Sequence, residues 1–176
     1  DREEYEISNA INALATFLRY GLDNSNGIVT IKDEIDWLEK YLAFQKNRLM
    51  DSFSSKIVVE DEVLSFRIYK LLLQPFVENA IIHGFKNHNS ENQLVIHIRK
   101  DAKYLLVEIK DNGCGIEQTL VEDINKGIFR ESSNNNIGMK NAISRIKMYY
   151  GENAKVKVQS TIGRGTHIQL EIPIKN

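Results

Sequence analysis

The chain has 176 residues, 42% hydrophobic and 27% charged, with 23 basic against 24 acidic side chains and a formal net charge of −1. That size suits one globular domain, or one domain with a short attachment, and the balanced charge leaves no field to recruit nucleic acid or an anionic membrane. A lone cysteine, Cys114, excludes an internal disulfide and fits a reducing, cytoplasmic setting, while no apolar run nears the ~20 residues that a membrane helix needs.

The chain opens on Asp1 in a segment that is already helix-like, with no signal sequence, so we expect a piece of a longer protein whose membrane segment, if it has one, lies upstream. The spacing of Ile7, Ile11, Leu14 and Leu18 predicts an amphipathic helix over 3–20, ended by Gly21. DNSNG at 23–27 is a loop by composition. Thr30 and Asp33 then have the spacing of a capping box. The helix they start runs to about Leu49, with Ile31, Ile35, Leu38, Leu42 and Leu49 on one side and Trp37, Tyr41 and Phe44 beside them, so two packed faces are expected.

Beyond residue 51 the pattern changes. Lys56–Glu60 predicts a short strand, and 68–83 an apolar helix that Pro75 bends unless it sits in the first turn. Gln93–Lys100 and Lys103–Lys110 alternate as strands of a hairpin joined at Asp101-Ala102. Residues 116–136 are polar and Asn-rich, which predicts a mobile loop. A helix over 138–150 stops at Gly151, and Ala154–Ser160 with Thr166–Ile172 forms a second hairpin. Paired hairpins with helices enough for one face predict a two-layer α+β sandwich.

Four segments carry chemistry: LLLQPFVENAIIHGF at 71–85, DNGCGI at 111–116, NIGMKNAISRI at 136–146 and STIGRGTHIQLEIP at 160–173. Asn79 sits on an apolar helical background; it is either a surface asparagine or a hard carboxamide ligand of the kind Mg²⁺ accepts when it bridges phosphates. Asp111 follows a strand and precedes Gly113 and Gly115; the segment is either a plain turn or a carboxylate for an adenine amine, with glycines that let the backbone approach the base. Gly138 opens a helix whose first N–H groups are free, as at an anion site or any ordinary helix start. Gly163–Thr166 is either a hairpin turn or the source of a ligand-facing hydroxyl on Thr166. His88, His97 and His167 lack ligand spacing for zinc. No nucleophile triad, Walker lysine motif or dinucleotide fingerprint is present.

Together these segments resemble the ATP-binding domain shared by gyrase, heat-shock chaperone ATPases, MutL proteins and sensor histidine kinases. The nearest resemblance is to LytS/YesM-type sensor histidine kinases, whose N box reads much like LLQPLVENAIKHG. Their preceding helix reads like EExxLxxYLxIQKxRF, beside DEIDWLEKYLAFQKNRLM at 33–50 here, and the segment before it ends LLRYSL, beside FLRYGL at 17–22. The resemblance covers essentially the whole chain. It implies a mixed, mostly antiparallel sheet covered by helices on one face, preceded by two N-terminal helices. It divides the chain into 1–50, the end of a dimerisation and phosphoacceptor region, and 51–176, an ATP-binding catalytic domain with a lid at about 117–136. It implies ATP and Mg²⁺ as ligands: Asn79 as the Mg²⁺ ligand, Asp111 as the adenine-reading acid, and Gly113, Gly115, Gly138, Thr166 and His83 around the nucleotide. Glu78 is either a base that orients or deprotonates the acceptor imidazole or a solvated carboxylate.

The family's phosphoacceptor histidine lies in a segment like NPHFLYNTL, which this sequence lacks, so the chain is not expected to autophosphorylate alone. The implied partners are a response regulator and a second copy of the intact protein. Two positions depart from the family pattern: Asn136 stands for the first glycine of the G2 box and Ile82 for a lysine of the N box, which removes a phosphate contact. Lys126, Arg130 or Lys140 could replace that cation. Hydrolysing relatives place a glutamate where Pro75 stands, which favours the kinase. A hydrolytic ATPase of the same fold and a nucleotide-sensing or protein-binding module remain the alternatives.

Overall fold

The computed structural model of the protein describes residues 27–85, 91–128 and 137–174, with Ala15 and Tyr20, both helical, ahead of them. In chain order the elements are β1 (Ile28–Thr30), α1 (Ile31–Arg48), β2 (Phe53–Val59), β3 (Arg67–Tyr69), α2 (Gln74–Glu78), β4 (Asn92–Asp101), β5 (Tyr104–Asp111), α3 (Gln118–Lys126), α4 (Ile137–Tyr150), β6 (Lys155–Thr161) and β7 (Gly165–Pro173). α1 begins with the expected capping box: the Asp33 N–H donates to Thr30 Oγ1 at 3.1 Å, and the Thr30 N–H donates back to Asp33 Oδ2 at 3.0 Å. Such a cap contributes about 1 kcal/mol. Ile31, Ile35, Leu38 and Leu42 are buried on one face, with Trp37 and Tyr41 buried beside them. β1 pairs antiparallel with β3, which ties the start of α1 to the segment that precedes α2.

The main sheet has the order β2-β4-β5-β7-β6; β2 runs parallel to β4 and every other pair is antiparallel. Alternation sorts its two faces. Leu94, Ile96, Ile98, Leu105, Val107, Ile109, Ile168 and Leu170 are buried under Phe76 and Val77 of α2 and Met139, Ile143 and Ile146 of α4, within one core that α1 also joins. His97, Glu108, Lys157 and His167 alternate with these residues and point the other way. The result is the expected two-layer α+β sandwich with helices on one face. Among the described residues no helix is long and apolar enough to cross a membrane.

Three expectations need correction. The apolar run 68–83 is not one helix. Arg67–Tyr69 is strand, Leu71 turns with φ of 57°, and α2 starts only at Gln74, so Pro75 falls in its first turn, where its missing N–H costs nothing. After α2 the helix widens into a π turn over Asn79–Gly84, closed by the Phe85 N–H on the Ala80 carbonyl at 3.0 Å. β2, the strand expected over Lys56–Glu60, begins at Phe53, three residues before the expected start, because Phe53 is buried against Phe85 with ring centroids 5.7 Å apart. Finally, the polar stretch 116–136 is not loop throughout. Val121 and Ile124 of α3 are buried, and the Asn125 side chain bonds both backbone groups of Val158 at 2.8 Å. Gly127, at φ of 72°, ends that helix in a left-handed cap. The rest of the expected lid, 129–136, and almost all of the expected helix 3–20 lie outside the described residues.

Candidate nucleotide site

The site is built at the ends of β5 and β7, where Asp111 stands opposite Thr166. The Gly113 N–H donates to Asp111 Oδ1 at 2.8 Å, and the Thr166 N–H also donates to this carboxylate. Burial nevertheless pushes the Asp111 carboxyl above its ordinary range, against those two donors. A carboxylate in that position has acceptor capacity left over, and a ligand amine would supply the missing donor.

Glycines allow three segments to meet here. A Cβ on Gly165 would lie 1.9 Å from the Asp111 carbonyl oxygen, one on Gly113 would lie 2.6 Å from the Gly84 carbonyl oxygen, and one on Gly115 would lie 2.2 Å from the Thr161 carbonyl oxygen. None of these gaps admits a side chain. The crossing is stitched by the Cys114 N–H on the Gly84 carbonyl and the Gly163 N–H on the Cys114 carbonyl, both at 2.8 Å. The N-box turn, the Asp111 turn and the β6–β7 turn are therefore one unit.

Asn79 opens the π turn and is half-buried; Gly84, five residues on, would put a Cβ 3.4 Å from Asp111 Oδ1. The helix bearing Asn79 thus ends against the adenine-reading candidate. Glu78 faces elsewhere: Gln74 Nε2 donates to its carboxylate at 2.5 Å, and the Tyr41 hydroxyl of α1 bonds it as well. The His83 side chain is exposed, and what this residue brings to the turn is its carbonyl, 3.2 Å from the Cys114 thiol. Ile82 is 51% exposed. Gly138, second in α4, has no described atom within 4 Å of a would-be Cβ, so packing does not explain a glycine there. Of the cations considered for the phosphates, Lys126 pairs with Glu122 at 3.8 Å, Lys140 lies in the first turn of α4, and Arg130 lies outside the described residues. A groove of about 310 Å³ runs from Asp111 and Thr166 along Lys110, Arg164 and His167. Among the described residues no cluster of three His, Cys, Asp or Glu side chains could hold a metal ion by itself.

The C-terminal part of the chain, residues 67–176, matches the family of histidine kinase-, DNA gyrase B- and HSP90-like ATPases. The chain belongs to this ATPase family. ATP is accordingly the nucleotide its fold serves. Residues 1–53 match a separate histidine kinase family. Among curated relatives, the sensor protein LytS of Oceanobacillus iheyensis is 31% identical over 93% of this chain, and the sensor histidine kinase YesM of Bacillus subtilis is 28% identical over 99% of it. The chain spans only 28% and 29% of the length of these two relatives. Among solved structures, the catalytic domain of the histidine kinase ThkA superposes with a TM-score of 0.61 at 18% identity, covering 84% of this chain and 95% of that one. ThkA in complex with the response regulator TrrA superposes with a TM-score of 0.59 at 18% identity, covering 98% of this chain and 49% of that one. These superpositions speak to the fold.

Some contributors had no signal in the sequence. The Ser160 hydroxyl donates to the Gly165 carbonyl at 2.7 Å, accepts the Ile116 N–H at 2.8 Å and lies 3.1 Å from Thr166 Oγ1, so it fixes the Thr166 hydroxyl. Asn112, read as turn chemistry, bonds the Gln93 N–H at 2.6 Å and the Glu91 carbonyl at 2.8 Å, which anchors the turn to β4. A serine near a strand end or an asparagine in a turn carries no mark of its partner; only cross-strand register reveals it.

Proposed function

We propose that the chain is the ATP-binding catalytic part of a sensor histidine kinase, which holds Mg·ATP with the γ-phosphoryl group toward a histidine on a segment upstream of Asp1. The reading is carried by Asp111: a partly buried carboxylate short of donors, at a glycine-lined crossing of three segments, is suited to the amine of adenine. Thr166, fixed by Ser160, supports the base from β7. Gly113 and Gly115 let the crossing backbones close up beside Asp111, and Gly138 leaves room for the phosphates at the start of α4. Asn79 offers one carboxamide oxygen, which fits a Mg²⁺ whose other ligands are phosphate oxygens and water. A bound Mg²⁺ would neutralise phosphate charge; phosphoryl transfer itself is mostly positioning and electrostatics. Glu78, held by Gln74 and Tyr41, would have to leave those partners to act on an acceptor imidazole. Residues 1–50 would belong to the dimerisation region, and 51–176 would be the catalytic domain. The intact protein would be a cytoplasmic-facing homodimer whose partner is a response regulator.

Pro75 in the first turn of α2, where hydrolysing relatives are expected to carry a glutamate, favours transfer over hydrolysis. The base preference tests the reading. Guanine presents a carbonyl where adenine presents its amine, so Asp111 should repel it. ATP should bind this chain at least about tenfold tighter than GTP, since a lost charged hydrogen bond is worth about 1.5–3 kcal/mol. Equal affinities would remove Asp111 from the base site.

A further inference from the structure

Glu34 of α1 is 1% exposed, far from solvent for a carboxylate. Its two oxygens accept the Leu71 N–H at 2.8 Å and the Leu73 N–H at 3.2 Å, and the Leu72 N–H also bonds it. Three successive backbone donors therefore wrap one carboxylate from another element. Leu71 holds a left-handed φ of 57°, a conformation that strains a side chain-bearing residue. Leu73 is the hinge of the arrangement. Its N–H is fixed by Glu34, while its carbonyl accepts the first bonds of α2, from Phe76 at 3.2 Å and Val77 at 3.3 Å. α2 leads directly into Asn79. The same turn is met from other sides: Lys70 Nζ donates to the Tyr20 carbonyl at 3.2 Å, and Arg145 of α4 donates to the Lys70 carbonyl at 3.4 Å. Seven residues after Glu34, on the same face of α1, Tyr41 bonds Glu78 at the other end of α2. A carboxylate that merely filled space here would be outperformed by an apolar side chain, so its chemistry lies in what it holds.

We propose that Glu34 is a positioning residue for Asn79: its carboxylate latches the strained Leu71–Leu73 turn, and through it α1 sets where the helix bearing the Mg²⁺-ligand candidate begins. This rests on the nucleotide reading given above, and it makes α1 the element that sets the phosphate end of the site. With the latch weakened, Leu71 relaxes toward ordinary backbone, Leu73 shifts, and Asn79 moves about Gly84, which stays stitched to the Asp111 turn.

The test uses the chain with Glu34→Gln, Leu71→Gly and the pair together. Glutamine keeps an acceptor but places an amide donor against backbone donors. Glycine at 71 removes the left-handed strain, so the turn can persist without the carboxylate. Two readouts are taken: calorimetric affinity for Mg·ATP and for adenosine, and ligand-free amide exchange over 73–84. Glu34→Gln should weaken Mg·ATP by about tenfold, the loss of one charged hydrogen bond, leave adenosine unchanged, and speed exchange over 73–84. Adding Leu71→Gly should restore both. Equal loss for Mg·ATP and adenosine, without rescue, would reduce Glu34 to a structural residue and overturn the proposal. So would unchanged exchange in Glu34→Gln. If the unmodified chain binds neither ligand, the nucleotide reading falls, and the exchange pattern with its rescue still decides the latch.

Discussion

Asp111 carries a conflict between stability and binding. Burial raises its carboxyl above the ordinary value of 3.8, so the folded chain binds that proton more readily than the unfolded chain does. The sign follows: this group favours the fold fully below the unfolded value, and the contribution is lost as pH rises through the folded value. Asp111→Asn keeps an acceptor for the Gly113 N–H without the charge. The substitution should therefore raise the thermal midpoint of the ligand-free chain at pH 7, and the gain should vanish as pH falls below the ordinary aspartate value. A midpoint lower at pH 7, or a pH-independent difference, would contradict that assignment. The glycines divide in a similar way. Gly165→Ala must fit a Cβ 1.9 Å from the Asp111 carbonyl oxygen at φ of 93°, whereas Gly138→Ala meets no described atom within 4 Å. The first should cost more than about 3 kcal/mol, while the second should be neutral or stabilising by up to about 1 kcal/mol. If Gly138 serves the phosphates, Gly138→Ala weakens Mg·ATP and not adenosine. Denaturant titration with calorimetry separates the two, and equal destabilisation would sink the distinction.

At the scale of elements, α3 is the sharpest departure from what the sequence predicts. Its apolar residues, Leu120, Val121 and Ile124, are three among polar neighbours, and the flanking Asn-rich run masks a short stripe that a two-turn helix needs no more of. Ile124 is 4% exposed. Ile124→Ala should cost about 2–5 kcal/mol; a loss near zero, by chemical denaturation, would return the segment to loop. The hairpins were legible because alternation and a short link define both strands and partners, and the capping box was legible because its two residues suffice. The parallel pairing of β2 with β4 was not, since β2 has no local link to its partner. Nor was the break at Leu71: a run such as Tyr69–Leu73 is equally apolar as strand, turn or helix, and only its contacts with Glu34 and β1 decide. The π turn at Asn79 has no sequence mark, because it arises from where Gly84 must meet the Asp111 turn.

For the whole molecule, the candidate site residues were legible as types and in order, but their assembly was not. Asp111, Gly113, Gly115 and Thr166 converge as the motifs imply, whereas Glu78 is turned to α1 and His83 contributes a carbonyl. α1 shares one core with the sheet layer, so packing does not divide the chain at residue 50. We infer that adenine is read by Asp111 in a site that also holds Mg²⁺ and phosphates. Calorimetric titration of the chain and of Asp111→Asn with ATP, with and without Mg²⁺, tests it most directly. The unmodified chain should show one saturable site strengthened by Mg²⁺, and the variant a loss of about 1–3 kcal/mol, roughly five- to 150-fold in affinity, with the Mg²⁺ increment intact. Identical affinities for the two chains, or no saturable binding by the unmodified chain, would contradict it.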